Sequence, residues 1–153
     1  MIRKPIDLLV LAAFLWLAGC SGDSKPTPTG PGFQTKMEAA GFTVTDIREH
    51  ISQVQATAAL SATTTDQKFI EFYEFVDEDQ ARLIYKRSEA QLEDLKGNVS
   101  LGRSLSLPNR SYKSLTTNKK FYVIARVGRT FIHAEAPDDF KEEMRQLIDS
   151  LGY

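Results

Sequence analysis

The sequence predicts an α+β domain in which an antiparallel sheet of about five or six strands carries helices packed on one of its faces. Three observations lead to this prediction. Runs of alternating apolar and polar residues, the period of a half-buried strand, outnumber helical runs in the body of the chain. Pairs of these runs are separated by short turn sequences, which is typical of hairpins and hence of antiparallel pairing. The helical runs lie before, between and after the two groups of strands, as in an α+β fold.

The first group of strands follows a short helix. This helix is predicted over residues 33–40, and Gly41 ends it because glycine adopts the left-handed backbone conformation that commonly closes a helix. A strand is predicted at 42–47. Two further strands, at 54–62 and 68–75, alternate cleanly on either side of a turn and are predicted to form a hairpin.

A long helix over residues 77–96 separates the two groups of strands. Asp77 begins it and Gln80 lies three residues later, which resembles the spacing of a capping box. The run 99–107 that follows alternates only weakly and is broken by Gly102 and Pro108, so it is not assigned to a strand. The next strand is predicted at 110–116.

The most specific pairing predicted is the hairpin of residues 119–127 and 129–134. Gly128-Arg129 is a two-residue turn of a kind that joins twisted antiparallel strands. On the core face this turn pairs Val127 with Thr130, Ala125 with Ile132 and Val123 with Ala134. On the opposite face it pairs Arg126 with Phe131, Ile124 with His133 and Tyr122 with Glu135. A last helix is expected to open at Pro137-Asp138-Asp139, where acidic residues suit the helix dipole.

The N-terminal residues predict an export signal. Arg3 and Lys4 form a short basic region, and residues 8–19 form an uninterrupted apolar run. At 1.5 Å per residue the run spans about 18 Å, well short of the roughly 30 Å hydrocarbon core of a bilayer. The run therefore fits a signal peptide better than a membrane-spanning helix.

The apolar run ends in Leu17-Ala18-Gly19-Cys20, which resembles the lipobox of bacterial lipoproteins. The resemblance covers residues 1–20. It implies that residues 1–19 are a lipoprotein signal peptide and that Cys20 receives diacylglycerol and acyl chains such as palmitate. Such an anchor would hold the protein in the cell membrane or outer membrane, facing outside the cytoplasm. Residues 20–32, rich in Pro and Gly, are then a flexible tether, and residues 33–153 a single globular domain.

The body of the chain also resembles small uncharacterised bacterial lipoprotein domains. The shared features are short. They are the helix end Gly41-Phe42, the strand Tyr73-Glu74-Phe75, the hairpin Arg126-Val127-Gly128-Arg129-Thr130 and the closing Leu151-Gly152-Tyr153. The resemblance supports the predicted fold and implies no activity.

Composition and motifs narrow the classes of function. A net charge of −1 argues against a nucleic-acid-binding protein, which is normally basic overall. Cys20 is the only cysteine, so an intramolecular disulfide and cysteine-based zinc or redox sites are excluded. Neither His50 nor His133 has a metal-binding spacing, and no nucleophile or phosphate-loop motif occurs. We therefore expect no metal, cofactor or catalytic residue, and a protein that is not an enzyme.

Charge is unevenly distributed along the chain. Residues 98–134 contain basic residues and no Asp or Glu, whereas residues 66–94 are rich in acids. A solvated sheet face balanced by neighbouring acids is one interpretation. The other is a basic sheet face that contacts an anionic envelope polymer, lipid head group or protein partner. Its candidate anion-binding residues are Arg110, Lys113, Lys119, Lys120, Arg126 and Arg129.

Three hypotheses for function remain open at this point. The first is a membrane-anchored, non-enzymatic binding or interaction module whose basic sheet face contacts an anion. The second is a cell-envelope hydrolase, which requires a deep pocket with a perturbed carboxylate or His133. The third is an accessory lipoprotein that binds a protein partner through an apolar patch.

Overall fold

The computed structural model describes residues 27–51, 55–97 and 100–153. The predicted signal peptide, the predicted lipidation site Cys20 and most of the predicted tether lie outside the described residues. The helices are α1 (Gly30–Ala39), α2 (Glu78–Asp94) and α3 (Lys141–Ser150), with single 3₁₀ turns at Arg48–His50 and Asp138–Phe140. The strands are β1 (Thr43–Asp46), β2 (Ala56–Thr63), β3 (Phe69–Phe75), β4 (Leu101–Leu107), β5 (Arg110–Thr117), β6 (Lys120–Val127) and β7 (Thr130–Pro137).

These strands form one antiparallel sheet in the order β1-β2-β3-β7-β6-β5-β4, and the α+β prediction is confirmed. The sheet has seven strands, so the predicted five or six was too few. The edge strand β4 accounts for the difference, because its weakly alternating sequence was not assigned to a strand, whereas the predicted strand at 42–47 is present as β1. β1 is only four residues long, and every residue of β4 is exposed. Edge strands bury little side-chain surface, so their apolar periodicity in the sequence is weak.

The helices lie on both faces of the sheet, and the prediction of helices on one face was wrong. Helices α1 and α3 pack on the face that carries Phe72, Val123 and Ile132. Helix α2 packs on the other face, against Ile124 and Phe131. The central strands β6 and β7 are apolar on both faces, which gives each face a surface to cover.

Both predicted hairpins are confirmed. β2 pairs with β3, and β6 pairs with β7 in the predicted register on both faces. Gly128 adopts a φ of 54° at the turn between β6 and β7, a conformation that glycine accepts without strain. The register places Ile124, His133 and Glu135 on the face that α2 covers.

Helix α1 begins at Gly30, within the segment that the sequence assigned to the tether. The Thr29 hydroxyl accepts a hydrogen bond from the Gly32 amide, and Pro31 suits the first turn of a helix. A side chain at Gly30 would place its Cβ 3.0 Å from the Cβ of Ala58, so α1 approaches β2 closely here. The glycines that made this segment look flexible are therefore partly packing residues.

The C-terminus is anchored inside the domain. Helix α3 follows the 3₁₀ turn at Asp138–Phe140, slightly later than predicted. The hydroxyl groups of Tyr153 and Thr130 are 2.7 Å apart in a buried hydrogen bond. No helix among the described residues is both long and apolar enough to cross a bilayer.

Candidate ligand-binding cavity

A cavity of about 420 Å³ lies between α2 and the sheet face that carries Ile124. Strands β3, β7 and β6 form its floor, and α2 forms its roof. Most of the wall is apolar, and the apolar part is mainly aromatic or branched. The apolar lining residues are Ile51, Tyr73, Phe75, Ile84, Leu92, Leu95, Tyr122, Ile124 and Phe131.

Polar groups converge at one end of this cavity. Glu71 and His133 lie directly opposite each other on β3 and β7, with His133 Nδ1 4.0 Å from Glu71 Oε2. On the other side of the ring, His133 Nε2 is 3.5 Å from Glu135 Oε1. The Tyr73 hydroxyl donates to Glu71 Oε2 over 2.8 Å. An apolar chamber with a few convergent polar groups is the usual form of a small-molecule site.

The exposed lining residues lie at the same end as the polar groups. Glu71, His133 and Glu135 are partly exposed, and Gln91 and Leu95, at the C-terminal end of α2, are exposed. By contrast Phe75 and Phe131, toward the Gly128 turn, are fully buried. The cavity therefore opens at its polar end and closes on an aromatic floor.

Tyr73 keeps its proton under all physiological conditions. Burial, and then the negative charge and hydrogen bond of Glu71, raise the pKa of its phenol well above the usual value. Its hydroxyl therefore stays a donor to Glu71. This hydrogen bond fixes the carboxylate at the border between the apolar chamber and the polar mouth.

Sequence reasoning predicted the strand position of His133 correctly but missed the cavity. As predicted, His133 on β7 is the cross-strand partner of Ile124 on β6, and both lie on the same face of the sheet. The missed signal was that this face also carries Tyr122, Ile124 and Phe131, which are too apolar for a solvated surface. Together with the apolar stripe of the 77–96 helix, that face indicates a second core.

The candidate anion-binding residues do not converge. Arg126 is 2% exposed beneath α2, where it donates to the carbonyls of Pro108 and Gly128. Burial, and then the nearby Arg82, lower its pKa. Lys113 pairs with Glu89 and Glu93 of α2 on the same face.

The remaining candidates are spread over the two ends and the other face of the sheet. Arg129 pairs with Glu74 at 2.5 Å, and Lys120 lies 3.5 Å from Glu135. Arg110 donates to the Gly152 carbonyl. Lys119 lies in the turn before β6, with a φ of 60°. The anion-binding assignment stays a prediction, and these contacts give it less support than the cavity gives to another ligand.

One exposed apolar strip lies on the edge strand β4. Leu101, Leu105 and Leu107 are 72%, 45% and 49% exposed and share one face of the strand. In the described part of the chain, no group of three or more His, Cys, Asp or Glu side chains is arranged to hold a metal ion.

Comparisons with known proteins bear on the fold. No protein-family model matches the chain, and no curated protein matches it. The domain is similar to the crystal structure of a GTP binding regulator from Thermotoga maritima, with a TM-score of 0.51. The two share 17% sequence identity over 80% of this chain and 84% of that chain. At this identity the similarity shows a common fold alone.

Proposed function

We propose that this protein is an exported, lipid-anchored binding protein of the bacterial envelope. In this proposal Cys20 carries the lipid anchor and the cavity beneath α2 takes up a small molecule. The observation that carries the binding role is the cavity of about 420 Å³, apolar inside and polar at its mouth. The anchor rests on the lipobox-like Leu17-Ala18-Gly19-Cys20 and the apolar run before it.

The position of the tether is compatible with ligand entry in an anchored protein. Thr27 and Thr29, where the described chain begins, lie beside the Gly128-Arg129 turn. His133 and Glu135, at the cavity mouth, lie toward the other end of β7. The described chain therefore begins at the end of the sheet away from the mouth.

Filling the cavity tests the binding role. Ser88 lines the cavity from α2, and Ala90 is exposed on the same helix. The full-length protein and the variants Ser88→Phe and Ala90→Phe are expressed in a bacterial envelope and purified. Small molecules released on denaturation are then identified by mass spectrometry.

The expected result is a compound that copurifies with the unaltered protein and with Ala90→Phe but is lost in Ser88→Phe. Both variants add one phenyl ring to α2, so only the position of the ring differs. Identical compound profiles in all three proteins would contradict a ligand site in this cavity.

Replacing the predicted lipidated residue tests the anchor. Cys20→Ala should abolish incorporation of labelled palmitate and release the protein from washed membranes, because no acyl chain can be attached. Ser21→Ala serves as the control and should remain membrane-bound. A Cys20→Ala protein that matures and stays with the membranes would contradict the anchor.

A hydrolase is the second candidate, because the cavity that this hypothesis requires is present around His133. An imidazole flanked by Glu71 and Glu135 could accept and return a proton. Ester and glycoside panels, tested with the unaltered protein and His133→Gln, separate the two functions. Turnover that disappears in His133→Gln would favour the hydrolase, and binding without turnover favours the proposed role.

A further inference from the structure

We propose that the cavity beneath α2 selects an organic cation, with an ammonium group at Glu71 and an apolar or aromatic body in the chamber behind it. This inference rests on the proposed binding function and adds the chemical class of the ligand. It follows from the charge of the mouth, the direction of α2 and the aromatic wall.

The mouth carries uncompensated negative charge. Glu71 and Glu135 both line it, and no Lys or Arg is among the described residues of the wall. Lys120 lies 3.5 Å from Glu135 and offsets that carboxylate from outside the cavity. Among the described residues Glu71 has no Lys or Arg partner, only Tyr73 and His133. Glu71 is therefore the carboxylate available to a cationic ligand.

Helix α2 adds to this negative potential. Gln91 and Leu92 near its C-terminal end, and Leu95 just after it, line the cavity, and no basic residue lies in its last turn. The unpaired carbonyls at a helix C-terminus act as about half a negative charge and favour cations. Lys96, just beyond the helix, is paired with Glu93. The dipole and Glu71 therefore favour the same sign of ligand charge.

Aromatic rings form the chamber behind the mouth. Tyr73 lies with its ring centroid 6.2 Å from those of both Phe75 and Phe131, and Tyr122 completes the aromatic part of the wall. Ring faces attract ammonium groups and pack well against apolar or aromatic bodies. An anionic ligand would face both carboxylates and the negative end of α2.

Three probes of similar shape and different charge test the inference. They are phenethylammonium, 2-phenylethanol and phenylacetate, and binding to the full-length protein in lipid nanodiscs is measured by calorimetry, with empty nanodiscs as the blank. We expect phenethylammonium to bind at least about tenfold more tightly than 2-phenylethanol, a difference of about 1.4 kcal/mol. Phenylacetate should bind most weakly.

A charge-neutral variant then tests whether the carboxylate of Glu71 causes the selectivity. Glu71→Gln keeps an oxygen that accepts from Tyr73 but removes the negative charge, and it should lose the preference for phenethylammonium over 2-phenylethanol. Glu38→Gln removes the same charge from α1, on the other face of the sheet, and should keep the preference.

The outcomes separate this inference from the proposed function. Equal binding of all three probes, blocked by Ser88→Phe, would leave a ligand cavity and overturn the cation selectivity. Tighter binding of phenylacetate, or a preference that survives Glu71→Gln, would also overturn it. Failure of every probe to bind would overturn the inference, while the copurified compound tests the cavity independently.

Discussion

The Tyr73 hydroxyl donates a 2.8 Å hydrogen bond to Glu71 Oε2 across two residues of the same strand face. Side chains at i and i+2 of a strand point to the same face, so the pair follows from the extended backbone of β3. The contact joins the aromatic chamber to the polar mouth. Loss of this hydrogen bond should therefore change both the free energy of unfolding and the ligand selectivity.

Tyr73→Phe should lower the free energy of unfolding by about 1–2 kcal/mol, because the hydrogen bond to a carboxylate is lost while the ring remains. Urea denaturation measures the change. Tyr122→Phe is the matched control, since the structure records no hydrogen bond for the Tyr122 hydroxyl among the described residues. An equal loss in both variants would show that the Tyr73–Glu71 contact has no special role.

The buried Tyr153 predicts a loss of stability in alkali. Burial is the main cause that raises its pKa above the ordinary value of 10.0. Its contribution is complete below pH about 10, where folded and unfolded states both hold the proton. Above that pH the unfolded state alone releases it, which costs about 1.4 kcal/mol per pH unit until the folded pKa is reached.

Tyr153→Phe should therefore be less stable than the unaltered protein at pH about 8, by roughly 1–2 kcal/mol, because Thr130 loses its partner. The difference should shrink as the pH rises above about 10, since Phe has no proton to release. Urea unfolding at both pH values measures it. A constant difference across the range would contradict the buried, protonated state of Tyr153.

Gly102→Ala should destabilise the protein by about 1–3 kcal/mol, although alanine is normally the better residue in a strand. A Cβ at this position would lie 2.9 Å from the backbone oxygen of Ser114, so β4 or β5 must shift. Gly97→Ala is the control, because its Cβ would lie at an ordinary 3.5 Å from Thr117 Oγ1. Thermal unfolding of both variants measures the effect, and a neutral Gly102→Ala would show that β4 is more loosely paired than described.

Arg126 should prove to be a packing residue. Arg126→Ala leaves a void under α2 and removes the donors to the Pro108 and Gly128 carbonyls, so a loss of about 2–4 kcal/mol is expected. Arg103→Ala, on the exposed strand β4, should change stability by less than about 0.5 kcal/mol. Urea denaturation compares the two. Unchanged stability in Arg126→Ala would contradict the packing role of Arg126 and would make it a candidate anion-binding residue again.

The sequence predicted local pairing well because hairpins depend on neighbouring residues. Gly128 and the alternation around it determine which residues of β6 and β7 face each other. The position of α2 could not be predicted in the same way, because an apolar stripe on a helix does not indicate which face of a sheet the helix covers. Helix α2 lies on the face opposite the predicted core because Ile124 and Phe131 give that face an apolar surface for the helix to cover.

The candidate site was the least predictable part. Glu71 and His133 are 62 positions apart in the chain, and only the pairing of β3 with β7 makes them neighbours. That pairing crosses α2 and three other strands, and no local pattern encodes it. The basic residues were conspicuous in sequence because they share one segment. In the fold the same segment supplies both faces of the sheet, which separates Arg110 from Lys113.

A crystal structure of the mature protein purified from its own envelope tests the central claim most directly. We expect non-protein density between α2 and the sheet, with its polar end beside Glu71 and its body against Phe131. A cavity that holds only ordered water, or that is closed by a shift of α2 onto the sheet, would contradict the account.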